Sequence, residues 1–450
     1  MYAQDSPNEE QWQESARRAD ELSQHLQGFV APLLQALDVR LDKRLVRTFF
    51  GTLEAMVRLR NRHLGLLLSE LGGVLLSPQH APAGTKRLSN LLRSRRWQAS
   101  LIASFLWRGA ERRVEELEQA GEPVLAVWDE SCLEKPESIA LEGLCAVRST
   151  KAARLKHIRP GFYNPPGGRP VFVPGLHWLG VLVVGYQGPL TVAAMRWWSS
   201  RGIQASDART QEKALLSDCV QAWGQRVLHL FDRGFAGSPW TCALLEQGAR
   251  FVIRWNKKYD LVDGQGRRAC PGRLSGRYRS WDYRQLRDIR RHCWRKTGVV
   301  ALPVTLPEGA RPLWLVVSRP QNRPPWYLLT NEPITEVGEA WRIVLAYARR
   351  WQIEWCWRYS KSELAMESPR LRFRENREKL LLMVTLVYAF LLSLLVPTLE
   401  DLCRWLLRRW CPRTGQHCAQ AAIPLYRIRA ALAALWSEHR PPILSFENPG

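Results

Sequence analysis

Four polar side chains, Tyr347, Arg350, Glu354 and Lys361, stand at offsets of 0, 3, 7 and 14 residues. On an α-helix, turning about 100° per residue, they fall within an arc of about 60°. That stripe joins a carboxylate to a planar bidentate cation, a mobile point charge and a phenolic hydroxyl. These are the groups a phosphate site requires. A charged stripe is more often a solvated face with a Glu–Lys bridge. Here Val344, Trp351 and Trp355 flank it on one side and Trp357 on the other, which predicts a stripe sunk into a cleft.

Two further carboxylates belong with it. Val124–Trp128 and Val227–Phe231 are short apolar runs that read as buried strands, and each ends in an aspartate, Asp129 and Asp232. Side by side at the carboxyl ends of adjacent strands, they supply the hard oxygens that divalent cations prefer. Two such ions about 3.5–4 Å apart clamp a phosphodiester for in-line displacement. Aspartate also ends strands as an ordinary turn residue, so the helical stripe carries most of this reading.

The elements that must position these groups follow from periodicity. Residues 1–115 read as a helical domain, with leucines at helical spacing through Leu33, Leu34, Leu37, Leu41 and Leu45. Within it, Thr85 is placed to cap a helix bearing Lys86, Arg87, Arg93, Arg95 and Arg96, five cations without one acid. That is an electrostatic footprint for DNA phosphates. Residues 116–254 change to α/β texture, with further strands at Leu179–Val184, Leu190–Met195 and Phe251–Arg254 and helices at 208–223 and 240–247. Residues 255–325, rich in Arg, Gly and Trp, form a β-rich insertion between the second aspartate and the glutamate. Residues 326–397 resume the α/β part with a strand at Trp326–Leu329 and one helix from Thr335 to Leu364. Residues 398–450 are helical, with Leu425, Ile428, Leu432, Leu435 and Trp436 spaced to pack on their own core or a partner. The uncharged run Leu380–Val396 reads as a buried core helix rather than a membrane span, entered from a charged and solvated first turn.

Composition narrows the partner. The 450 residues carry 65 Lys+Arg against 42 Asp+Glu, a formal charge of +23, and a globular protein this basic calls for a polyanion. Ten scattered cysteines without a Cys-x-x-Cys pair suit a reducing cytoplasm, and the acidic, polar N-terminus is unlike a secretory signal. No Gly-x4-Gly-Lys-Ser/Thr loop is present, which argues against an ATP-driven motor. Cys403, Cys411, His417 and Cys418 fit no common zinc spacing.

The spacing Tyr-x2-Arg-x3-Glu-x6-Lys, standing as YARRWQIEWCWRYSK, resembles the signature of DDE transposases of the fourth insertion-sequence family. The segments VLAVWDESCLEK, HLFDRGFAG and WYLLTNEPITEVGEAWRIVLA are also similar to that family, over residues 85–400. The resemblance implies a ribonuclease H-like mixed sheet flanked by helices, with Asp129, Asp232 and Glu354 as a catalytic triad holding two Mg²⁺ (or Mn²⁺) ions. It further implies Tyr347, Arg350, Lys361 and Trp326 on DNA, with Ser131 and Arg233 in support. The family usually has Asp-x-Thr at the first carboxylate; Asp129-Glu130-Ser131 keeps the hydroxyl. The implied activity is cut-and-paste transposition, by strand nicking at the element's terminal inverted repeats and transfer of the 3′-OH into target DNA. The implied assembly is a homodimer on paired ends of double-stranded DNA, in the bacterial cytoplasm or nucleoid and off the membrane. Two other readings were weighed. One is a catalytically inactive or domesticated DNA-binding protein. The other is a tyrosine recombinase, from His292-x-x-Arg295 and Tyr327, which the β-like segment ALPVTLPEG between them disfavours.

Overall fold

The computed structural model describes residues 9–135, 141–149, 171–288, 293–411 and 423–440. It is a mixed α/β structure in which helices flank one large mixed sheet. His292, His417 and Cys418 lie outside the described residues.

At the centre of the sheet, β1 (Val124–Glu134), β5 (Val227–Phe231) and β6 (Arg250–Arg254) run parallel. Their apolar runs are unbroken because both faces are covered. In β1, Leu125 and Val127 face one core while Val124, Ala126 and Trp128 face the other. On the first flank β1 pairs antiparallel with β3 (Phe172–Val184), which carries β2 (Cys145–Arg148) and β4 (Thr191–Trp198). On the other flank β6 pairs with β12 (Trp326–Thr330). The order then continues through β11 (Gly309–Pro320), β10 (Cys293–Leu306), β7 (Leu261–Asp263) and β8 (Arg268–Ala269), while β9 (Asp282–Asp288) pairs with β10. The expected insertion thus hydrogen-bonds directly onto the central sheet through β12. The order is consistent with the ribonuclease H-like arrangement.

One face of the sheet is covered by α6 (Ala208–Trp223), α7 (Ser238–Glu246) and the second half of α5 (Ser100–Gln119). The other face carries α9 (Val337–Arg349), α10 (Trp351–Ser362) and α11 (Arg374–Ser393). Behind these lie α1 (Glu9–Asp38), α2 (Lys43–Arg58), α3 (Leu68–Leu75), α4 (Ala81–Arg93) and, from the far end of the chain, α13 (Leu425–Glu438), with α12 (Glu400–Trp410) against α13. The stripe on α13 is spent internally: Ile428, Leu432, Leu435 and Trp436 are buried in this core, and Trp436 donates its indole N–H to the Ala19 carbonyl at 3.2 Å. A partner cannot use those side chains.

Several local expectations change. The helix expected over Thr335–Leu364 is two helices, broken at Arg350, where the amides of Arg350 and Ile353 reach back only three residues. Thr85 is no cap; it lies inside α4, its hydroxyl bonded to the Ala81 carbonyl at 2.8 Å. The start of α11 is not simply solvated, since Arg377 and Lys379 are buried, Arg377 donating to the Leu371 and Glu142 carbonyls and Lys379 to those of Leu92 and Ser94. The rest of α11 is buried core, and among the described residues no single helix is long and apolar enough to cross a membrane.

Candidate active site

The parallel register sets the two aspartates together. Val127 pairs with Leu230, and two residues further along both strands the same register reaches Asp129 and Asp232. Asp129 stays within β1, opposite Gly180 of β3. A Cβ on Gly180 would lie 2.2 Å from the Trp357 ring, so only glycine lets that indole lie across the strand. Trp357 uses the space to donate its ring N–H to Asp129 Oδ2 at 3.0 Å. Asp232 follows β5 directly and accepts the Gly234 amide at 2.6 Å, which fixes its carboxylate at the start of a short 3₁₀ turn.

The break at Arg350 delivers the third carboxylate. It begins α10 anew, so Glu354 lies in the first turn, where the helix dipole favours a negative charge. Arg350, itself buried, stands between two of the acids. Its Nη2 donates to Glu354 Oε1 at 2.7 Å, and its Nη1 lies 3.8 Å from Asp129 Oδ2. That second nitrogen makes no hydrogen bond among the described residues.

The electrostatics follow from burial. Desolvation pushes the Asp129 carboxyl up to about 7, and the charge of Asp232 adds to the rise. Arg350 and the Trp357 N–H pull the other way without cancelling it. Tyr347 is buried under the same cavity wall, and desolvation pushes its phenol up to about 12. Its hydroxyl finds no hydrogen-bond partner among the described residues, a donor left waiting for an acceptor. The Trp326 ring meets Tyr347 edge to face at 5.4 Å.

A cavity of about 500 Å³ opens over this group, lined by Asp232, Arg233, Arg254, Tyr347, Arg350 and Glu354 among others. Asp129 is not among its lining residues. Lys361 also lies off the lining and donates to Ser131 Oγ at 2.8 Å. Trp355, expected to wall the cleft, is exposed instead and lines a separate apolar cavity. Lys86, Arg87, Arg93, Arg95 and Arg96 are all exposed on α4 and the turn after it, away from this cavity. Arg254 was missed in the sequence. Phe231 pairs with Ile253 in parallel, which puts the next residue of β6 beside Asp232, and that register is visible only in the structure.

Whether these residues suit a divalent cation is a matter of donor chemistry. Three carboxylates form a hard oxygen set. The donor type therefore fits Mg²⁺ or Mn²⁺. In spacing, among the described residues no three His, Cys, Asp or Glu side chains already converge as a ligand cluster, and the Arg350 guanidinium bridges two of the acids.

Residues 200–390 match the family model described as Transposase DDE domain, a span that holds Asp232 and Glu354. No curated protein matches the chain. Among solved structures, it is similar to a piggyBac transposase in a synaptic complex with hairpin DNA, determined by cryo-electron microscopy. That likeness has a TM-score of 0.41 and 13% identity, covering 91% of this chain and 78% of the other.

Proposed function

We propose that this chain is a DDE transposase of the fourth insertion-sequence family, built on a ribonuclease H-like core. It nicks DNA at the ends of its mobile element and joins the freed 3′-OH to target DNA. The observation that carries this reading is the register of β1 and β5, which sets Asp129 beside Asp232, together with Arg350, which ties Glu354 to that pair. The match of residues 200–390 to a transposase domain supports it.

In this reading Asp129, Asp232 and Glu354 hold Mg²⁺ or Mn²⁺, two ions at the site. When bound, the ions neutralise carboxylate charge and polarise the attacking and leaving oxygens of an in-line displacement. The chain's own groups do the positioning. The unpartnered Tyr347 hydroxyl and the free Nη1 of Arg350 are donors for non-bridging phosphate oxygens. Arg233 and Arg254 add positive charge to the same wall. Lys361, held through Ser131, borders the Asp129 side, and Trp326 offers an aromatic face beside Tyr347 to a base turned out of its stack. Synapsis of two ends makes the working unit a dimer on double-stranded DNA.

The test is strand nicking on DNA that carries the element's own ends, with Mg²⁺ or Mn²⁺, using wild type and Asp232→Asn. Wild type should nick and the variant should not, while both retain DNA binding. Nicking by Asp232→Asn at wild-type rate would sink the assignment. Binding without nicking by the wild type would instead favour the inactive, domesticated reading.

A further inference from the structure

A second cavity, of about 650 Å³, lies between α2, the end of α3 and α4, and shares no lining residue with the carboxylate site. Its wall carries five arginines: Arg44, Arg47 and Arg58 from α2, Arg87 from α4, and Arg440 from beyond α13. The α2 positions 44, 47 and 58 fall on one side of the helix, within an arc of about 60°. Arg44, Arg47, Arg87 and Arg440 are exposed at the rim and Arg58 is half-buried, so the cavity is open to a ligand from solvent.

The wall also holds two carboxylates, Asp42 and Glu54. Asp42 is engaged in capping α2, accepting the amides of Arg44 and Leu45 at 2.9 and 3.0 Å. Glu54 is half-buried and takes the Ser23 hydroxyl at 3.2 Å; burial pushes its carboxyl up to about 7, so near neutral pH it is only partly charged. Among the described residues no carboxylate lies within ion-pair distance of Arg44, Arg58, Arg87 or Arg440. Arg440 anchors itself on the carbonyls of Leu75 and Leu76, and its charge bears on Arg58 across the cavity. Two guanidinium groups that repel each other, as Arg58 and Arg440 do, are stabilised by an anion that accepts forked hydrogen bonds.

We propose that this cavity is a binding site for phosphate groups, supplied either by the DNA backbone or by a free phosphorylated small molecule. The DNA alternative rests on the transposase reading; phosphate recognition itself does not. The test uses the full chain, as wild type and as Arg44→Gln/Arg58→Gln. Inorganic pyrophosphate is titrated by calorimetry, and a duplex of arbitrary sequence is bound across a salt series by fluorescence anisotropy. The double variant should lose at least about tenfold in pyrophosphate affinity. If the DNA backbone is the source, its salt slope should also fall by roughly two, near one per lost contact. Loss of pyrophosphate binding with an unchanged duplex slope assigns the site to a free phosphorylated molecule. Equal pyrophosphate affinity and equal slope in variant and wild type overturn the proposal. Should the Arg58 change unfold the protein, Arg44→Gln/Arg47→Gln, altering two exposed side chains, decides by the same criteria. Nicking at element ends is read separately from pyrophosphate affinity, which keeps the two readings separable.

Discussion

Replacing Asp129 with Asn should remove one pH-dependent contribution to stability. In the folded protein burial lifts this carboxyl from 3.8 to about 7, so between those limits the folded state binds more protons than the unfolded chain. Stability therefore falls as pH rises through that window and stays low above it. A rise of about three units at about 1.4 kcal/mol each sets a ceiling of about 4 kcal/mol. The side chain is only 14% exposed, so solvent screening removes little of this. Asn keeps an acceptor for the Trp357 indole and loses the titration, the charge facing Arg350 and one acceptor, toward the Glu130 amide. That lost bond costs about 1 kcal/mol at every pH. The assay is urea unfolding of both proteins at pH 5 and pH 8, reading how the variant-minus-wild-type difference changes. Glu54, pushed to about 7, and Glu212, pushed to about 8, titrate in the same range, but both cancel in that difference. The variant should gain at least about 1 kcal/mol on wild type between the two pH values. A difference that stays constant refutes the claim that Asp129 is held short of compensating charge.

Three further perturbations probe the surroundings. Arg350→Gln removes the cation between Asp129 and Glu354, and should cost roughly 3–5 kcal/mol at pH 8 and less at pH 5, where Asp129 is protonated; an equal cost at both pH values would show that the guanidinium acts by packing alone. Lys379→Met keeps the buried volume but strands the carbonyls of Leu92 and Ser94 at the end of α4, bonded now at 3.1 and 2.9 Å. It should lower stability by roughly 2–4 kcal/mol in chemical denaturation, and a change below about 0.5 kcal/mol would mean water replaces the amine. Trp326→Ala, assayed stepwise on a DNA end, should leave first-strand nicking intact and reduce hairpin closure; parallel decline of both steps makes the ring merely a support for Tyr347.

The parts of this fold legible in the sequence were those set by local pattern. Val227–Phe231 and Ala208–Trp223 appear with the bounds their apolar runs and flanks imply. Strand β1 runs six residues past Trp128 because its pairing with β3 continues to Glu134–Gly175, and long-range pairing leaves no local trace. The break at Arg350 escaped helical arithmetic for a similar reason: a residue that serves Asp129, 221 positions earlier, ends one helix and opens another. Arg377 and Lys379 read as solvated charge in sequence, yet each is buried against carbonyls of remote segments, as is Arg429. Positive charge alone does not say whether it meets solvent, nucleic acid or a helix end.

The closure of α13 onto α1 and α2 has a consequence for synthesis. Trp436 reaches Ala19, and Arg429 donates to the Met56 and Leu59 carbonyls at 2.7 and 2.8 Å. Helices α1 and α2 thus leave the ribosome well before α13, and wait for it before their core is complete. At roughly 5–20 residues per second that delay is on the order of 20–80 s. A chain terminated early should carry an N-terminal region without cooperative structure, and a product ending at Val396 that melts as sharply as the full protein would contradict this. Under the proposed transposase function, interrupted translation would then yield no N-terminal fragment folded well enough to compete with the finished molecule for DNA.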